Sequence, residues 1–346
     1  MEFLSWPENF NKAGETRIAK LVMDHKLSSS ITANQNPEKE NQLSRLFRSI
    51  ASRAPLLKMV PFSKRPHGLS IIMRVKNEVD WIRPSILSII DIADEIVIVD
   101  NGSTDGTYQV LEEMASKEKG LISIWQRPDL DQCSLSNFAL EQTRFRWIFR
   151  WDGDMVAHTS GEHAISDLRD RLLSLDSRHY YVIYLRHINL SGDLLHQDSR
   201  EMVHIEEYIH IYSEAARYIH PGRFEAIKVP KYYKVLFWYE PYSFHVNVKP
   251  ARRMLLRYFW ENWMELRDYQ RFPTLEDYVS QKIEGEFGTS SWEEAEKICV
   301  HKILQHHVHF DQEVFGPYPE LLKALLESQK YKIIYTDGKI VGREEN

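Results

Sequence analysis

The chain has 346 residues, 43% of them hydrophobic and 27% charged, with a formal charge of -6 and two cysteines, Cys133 and Cys299. That length builds a sizeable core, the acidic balance excludes a whole-surface nucleic-acid footprint, and two distant cysteines exclude a disulfide framework and fit a reducing compartment. No apolar run approaches the roughly 18 residues of a spanning helix, and Glu2 and Glu8 around Trp6-Pro7 do not make a signal peptide, so a cytoplasmic protein is expected.

Residues 1 to 66 differ from the rest of the chain. Ser28 to Gln42 is polar and reads as a linker. Leu43, Leu46, Phe47, Ile50, Ala51 and Ala54 then fall at helical spacing, with Arg45, Arg48 and Arg53 outside the stripe. Such a basic amphipathic helix suits an anionic membrane surface, although packing on a neighbouring domain is the commoner arrangement. Pro55, Pro61 and Pro66 punctuate an extended connection.

From Leu69 the pattern is regular. Leu69 to Val75 reads as a buried strand, Asn77 to Ile90 as a helix, Glu95 to Val99 as a strand ending at Asp100, and Asp105 to Lys119 as a helix. Leu121 to Trp125, Ser134 to Arg144 and Trp147 to Trp151 continue the alternation as strand, helix and strand. Strands alternating with helices predict an α/β fold with a mainly parallel sheet covered on both faces. Ligands of such sheets bind beyond the carboxyl ends of the strands, where Asp100 and Asp152 both lie. Beyond Gly161, Tyr180 to Arg186 and Tyr232 to Tyr239 read as strands and Pro250 to Tyr269 as a helix. Thr274 and Ser291 cap two more helices, and Tyr331 to Val341 forms a hairpin about Asp337-Gly338.

Asp152-Gly153-Asp154 ends the fourth strand. Two carboxylates flanking one glycine can grip a hard divalent cation that shares its sphere with phosphates, although the same residues also make ordinary turns. Asp100 opens Asn101-Gly102-Ser103-Thr104-Asp105-Gly106-Thr107. Its carboxylate can accept from a nucleobase N–H or ribose hydroxyl, or simply cap the next helix. Neither a Gly-x-Gly-x-x-Gly fingerprint nor a Gly-Lys-Ser/Thr loop is present.

Together, Leu69 to Glu78, Ala93 to Thr107 and Trp151 to Asp154 resemble a family 2 glycosyltransferase of the GT-A type, over about residues 68 to 175. The resemblance implies a GT-A Rossmann-like domain at 67–249, with a nucleotide-sugar half at 67–160 and an acceptor-side half at 161–249. It would be flanked by the extension 1–66 and a helical region with terminal hairpin at 250–346. It further implies a nucleotide-diphospho-sugar donor (UDP- or GDP-sugar), a divalent cation (Mn²⁺ or Mg²⁺), and a glycan or glycolipid acceptor in polysaccharide biosynthesis, with inversion at the sugar carbon. By matching position, Asp100 and Asn101 would meet the nucleoside, with Val75, Lys76, Asn77 and Glu78 lining its pocket. Asp152 and Gly153 would meet the ribose or metal, and Asp154 would be the main metal ligand. Ser134-Leu135-Ser136-Asn137 stands where many relatives have Ala-Arg-Asn, so a phosphate contact from that helix is not expected.

A catalytic base should lie downstream. Glu225, in Gly222-Arg223-Phe224-Glu225-Ala226, resembles a His-Glu element of some relatives, with Glu240 as runner-up and Asp198 third. His245 stands where many GT-A enzymes close the metal site, against the alternative of a core histidine. Lys249, Arg252 and Arg253 could meet phosphates or form a solvated helix face. His301, His306, His307 and His309 match no zinc spacing and read as a helix end. A sugar-nucleotide nucleotidyltransferase competes with this reading, but would carry a glycine-rich basic loop where Lys76-Asn77-Glu78 stands. A non-catalytic glycan- or nucleotide-binding module is the third possibility, against which Asp100, Asp152 and Asp154 are retained.

Overall fold

The computed structural model describes residues 50–55, 62–220, 225–265, 270–328 and 330–346. Only the end of the amphipathic helix expected over Leu43 to Ala54 falls within them, and the rest lies outside.

The first half follows the apolar runs. β1 (Leu69–Val75) leads to α1 (Ile82–Leu87), a 3-10 turn (Ile90–Ile92) and β2 (Glu95–Asp100). Then come α2 (Thr107–Lys117), β3 (Ile122–Gln126), α3 (Gln132–Gln142), β4 (Trp147–Arg150), β5 (Met155–Ala157) and α4 (Ile165–Ser174). Every residue of β2 and β4 is buried, as continuous apolar strands covered on both faces must be. The helix expected from Asn77 is shorter than its periodicity suggests. Asn77 sits at φ 58, the left-handed region, so the chain turns there before a helix can begin.

The second half is built from long strands. β6 (Tyr180–Ser191), β7 (His196–Asp198), β8 (Val203–Ile211), β9 (Arg217–Ile219), β10 (Ala226–Lys228) and β11 (Tyr233–Asn247) precede three helices. These are α5 (Ala251–Glu265), α6 (Leu275–Phe287) and α7 (Trp292–Leu304). β12 (His307–His309), the single turns α8 (Gln312–Phe315) and α9 (Glu320–Lys323), and the hairpin β13 (Tyr331–Thr336) and β14 (Lys339–Glu345) complete the chain. The hairpin turns at Asp337 and Gly338, both with positive φ, as a two-residue hairpin loop requires. Thr274 and Ser291 cap α6 and α7 through Asp277 N and Glu294 N.

The eight-stranded sheet runs β3-β2-β1-β4-β8-β6-β11-β5. β1–β2, β1–β4, β2–β3 and β6–β11 are parallel, whereas β4–β8, β6–β8 and β5–β11 are antiparallel. The parallel half sets the ligand edge, and β11 carries the second half back to it. Among the described residues no helix is long and apolar enough to cross a membrane.

Candidate active site

The edge is organised by the turn after β1. Val75 pairs with Asp100, and Trp151 N donates to Ile72 O, so β2 and β4 flank that turn from either side. The turn is tied to the β2 loop by four bonds: Asn77 N to Ser103 Oγ (2.9 Å), Thr104 N to Asn77 Oδ1 (2.8 Å), Glu78 N to Thr107 Oγ1 (2.7 Å) and Val79 N to Asp105 Oδ2 (3.1 Å). On the other side Gly153 packs directly on it. A Cβ there would lie 3.1 Å from both Val75 Cγ1 and Glu78 Cγ, which is why glycine separates the two aspartates. The two acidic strand ends therefore share one turn.

Asp154 is brought to its partners by sheet pairing. β5 starts directly after it and pairs antiparallel with β11, setting Met155 opposite His245, and Val246 N donates to Asp154 O at 2.8 Å. His245 Nε2 then lies 3.3 Å from Asp154 Oδ2, and Lys249 Nζ lies 2.7 Å from the same oxygen. The ammonium also meets Glu78 Oε2 at 2.6 Å, while Arg253 Nη2 bonds Glu78 Oε1 at 2.5 Å. Burial opposes charge on Asp154, but Lys249 and His245 outweigh it and hold the carboxyl well below the usual range. Burial likewise opposes charge on His245, yet Asp154 outweighs it and raises the imidazole above its ordinary value.

The sequence points to Asp152, Asp154 and His245 converging on one cation, but among the described residues no three His, Cys, Asp or Glu side chains do so. Asp152 turns instead toward Arg74, its Oδ1 lying 3.6 Å from Nη1. The spot shared by Asp154 and His245 is also reached by the ammonium of Lys249. As they stand, these residues do not form a divalent-ion site.

Asp100 is also committed. It is fully buried, its Oδ1 accepts from Gly102 N and Ser103 N at 3.0 Å each, and its Oδ2 accepts from Ser103 Oγ. The capping alternative is what the geometry contains: this carboxylate shapes the loop. Asn101 Nδ2 donates to Arg127 O and Leu130 O, both at 3.0 Å, while Lys76 remains exposed at the mouth.

Glu225 lies beside the same edge, although the residues just before it are outside those described. Its Oε2 is 2.9 Å from Arg74 Nη1 and 3.5 Å from Arg150 Nη1, so Arg74 joins Glu225 to Asp152. Arg150 continues to Glu206, whose Oε1 lies 2.7 Å from His204 Nε2. The Cys133 thiol faces Glu225 and is pushed up to about 12, first by burial and then by that carboxylate, so it stays protonated. Asn137 exchanges two bonds with the Tyr218 backbone, fixing β9 against α3.

Neither of the other base candidates joins this cluster. Glu240 Oε2 pairs with Arg171 Nη1 at 3.0 Å, and Asp198 forms a two-pronged pair with Arg200. His301 lies in α7, but His307 and His309 belong to β12, which pairs with β7, so the helix-end reading is corrected for those two. Sequence reasoning missed Arg74 and Arg150. Their signal was available: an arginine inside an otherwise apolar buried strand needs a carboxylate partner.

Residues 70–180 match the model of the family described as Glycosyl transferase family 2. No curated protein matches the chain. Among solved structures, S. aureus TarS 1-349 is 16% identical, with 79% of this chain and 95% of that chain covered and a TM-score of 0.36. The same protein in complex with UDP-GlcNAc gives 15% identity, the same coverage and a TM-score of 0.35. Against a further S. aureus TarS structure the identity is 22% and the TM-score 0.30, covering 36% of this chain and only 22% of that one.

Proposed function

We propose that this chain, a glycosyltransferase whose residues 70–180 carry the family 2 signature, moves a sugar from a nucleotide-diphospho-sugar to a hydroxyl of a glycan or glycolipid, with inversion. One observation supports it most: the acidic ends of β2 and β4 flank a single turn, with a buried carboxylate, Glu225, one arginine away. Transfer needs a nucleoside pocket, a cationic place for the leaving diphosphate, and a base on the acceptor side.

In this reading the nucleoside lies over Val75 to Glu78, against the Asp100–Asn101 loop. The diphosphate sits at the Asp154 corner, where Lys249, Arg253 and His245 gather. Glu225 takes the acceptor proton as the acceptor oxygen bonds to the sugar carbon. The bond from that carbon to the diphosphate oxygen breaks, and its electron pair leaves with the nucleoside diphosphate. Such a base supplies about 10²–10⁴-fold. Arg74 and Arg150 hold the carboxylate in place. No step runs through the divalent cation that the family resemblance implies, because among the described residues no three His, Cys, Asp or Glu side chains converge to hold one. The division into 67–249 and 250–346 stays a proposal, with Lys249 and α5 marking its seam.

The test is a panel of UDP- and GDP-sugars, read by thermal stabilisation and by release of nucleoside diphosphate. Stabilisation by one donor is expected through mass action, and Glu225→Gln should lose turnover by about 10²–10⁴-fold while keeping that stabilisation. If no donor stabilises the protein or is turned over, the proposal fails.

A further inference from the structure

We infer that Lys249 is the resident cation of the diphosphate corner, doing with its ammonium what a divalent ion does in metal-dependent sugar transfer, so that this site works without added metal. The inference rests on the donor-site reading above. Lys249 is not a surface lysine that happens to bend inward: its side chain is only 8% exposed, and those of its partners Glu78 and Asp154 are 8% and 9% exposed.

The ammonium is held from both ends. Trp81 Nε1 donates to Val248 O at 2.7 Å, and Arg343 Nη2 donates to Lys249 O at 2.7 Å, fixing the main chain on either side of the residue. Glu78 Oε2 and Asp154 Oδ2 then clamp Nζ at 2.6 and 2.7 Å. These contacts use two of the three N–H donors of an ammonium, which leaves one to aim at a ligand oxygen. Arg253, four residues on, takes the other oxygen of Glu78, so the two carboxylates are matched by two fixed cations.

That balance disfavours a metal. A divalent ion on Asp154 Oδ2 would stand at contact distance from a like-charged ammonium, which already fills the space between Asp154 and Glu78. A nucleoside diphosphate brings only negative charge. It therefore meets N–H donors of Lys249, Arg253 and His245 that Glu78 and Asp154 already hold in place, so charge developing on the leaving oxygens is stabilised by groups that need not reorganise.

The experiment uses the full chain, treated with EDTA and desalted, with UDP, GDP and their sugars as probes. Wild type is expected to be stabilised by its nucleotide, and to release it from the donor, to within about twofold with EDTA, MgCl₂ or MnCl₂. Lys249→Ala is expected to lose nucleotide stabilisation in EDTA. It should also gain a thermal shift from MnCl₂ alone that wild type lacks, because Glu78 and Asp154 are then left without their ammonium. Lys249→Arg, keeping the charge, is expected to recover part of the metal-independent stabilisation. Wild-type binding or turnover that EDTA abolishes and Mn²⁺ restores overturns this inference and leaves the transferase reading intact. Failure with every donor in every condition overturns the transferase reading and this inference with it.

Discussion

Replacing Gly153 by alanine adds one methyl group and no charge. The new Cβ would lie 3.1 Å from Val75 Cγ1, 3.1 Å from Glu78 Cγ and 3.4 Å from Glu78 Cβ. Val75 is 3% exposed and backed by the core, so it cannot withdraw. Glu78 is the neighbour that must move, and moving it disturbs its bonds to Lys249 and Arg253. Overpacking of this kind costs about 1–3 kcal/mol. The thermal midpoint should fall by about 1–4 °C, at roughly 1.4 °C per kcal/mol for an unfolding entropy of about 2.1 cal/mol/K per residue. Because Glu78 also orients the cationic corner, loss of about 1–2 kcal/mol from donor binding is expected, or roughly 5–30-fold in Kd. Titration calorimetry with the donor nucleotide reads the second number and differential scanning calorimetry the first. A Gly153→Ala protein with wild-type midpoint and wild-type affinity would refute the packing of Gly153 on the β1 turn, and with it the meeting of the two acidic strand ends.

The same geometry sets three more outcomes. Burial raises the Glu207 carboxyl from 4.5 to about 7 in the fold, so between those pH values the unfolded chain has lost a proton that the fold keeps. The contribution of this one group should therefore fall as pH rises from about 4.5 through about 7, by up to about 3 kcal/mol, against the opposite slope of the buried His210 and His307, whose imidazoles are lowered to about 3 and about 4. Glu207→Gln, which keeps an acceptor for Ile227 N, should make stability in urea melts rise more steeply with pH over that window than in wild type; an unchanged slope refutes it. Glu240→Gln breaks only a half-exposed pair with Arg171 and should change turnover by no more than about twofold. A loss as large as that of Glu225→Gln would move the base to Glu240. Gly192→Ala places a Cβ 2.6 Å from Leu304 Cδ2 and 2.9 Å from Ile333 Cδ1 at φ +83. A cost of about 2–4 kcal/mol is expected in urea melts, with faster hydrogen exchange over 331–345; wild-type stability would refute the tight seating of the hairpin.

The legible half of the fold is the half with a simple period. β1, β2 and β4 are continuous apolar runs ending at polar residues, and α2 and α3 lie within a residue or two of their expected bounds. β8 escapes a sequence reading because its Glu206, Glu207, His204 and His210 are polar, each of these carboxylates and imidazoles being buried or partly buried in the second half. β11 is longer than expected because a register shift between Trp238 and Ser243 lets Glu240-Pro241 sit inside a strand. At the site, the residues are visible in the sequence but their pairings are not. Nothing in the spacing of Asp154 and Lys249 tells that an antiparallel β5–β11 contact joins them, and a self-capping Asp100 reads the same as a ligand-binding one.

The arginine that grips the Lys249 carbonyl belongs to β14, and it holds Gly192 O as well. Glu345, two residues further, accepts from Ala251 N at the head of α5. The final strand thus acts as a latch on the reagent end of the molecule, although nearly a hundred residues of chain separate it from that corner. Trimming the polypeptide at its carboxyl end, or appending a bulky fusion there, would slacken the ammonium's anchorage before it disturbed any core strand.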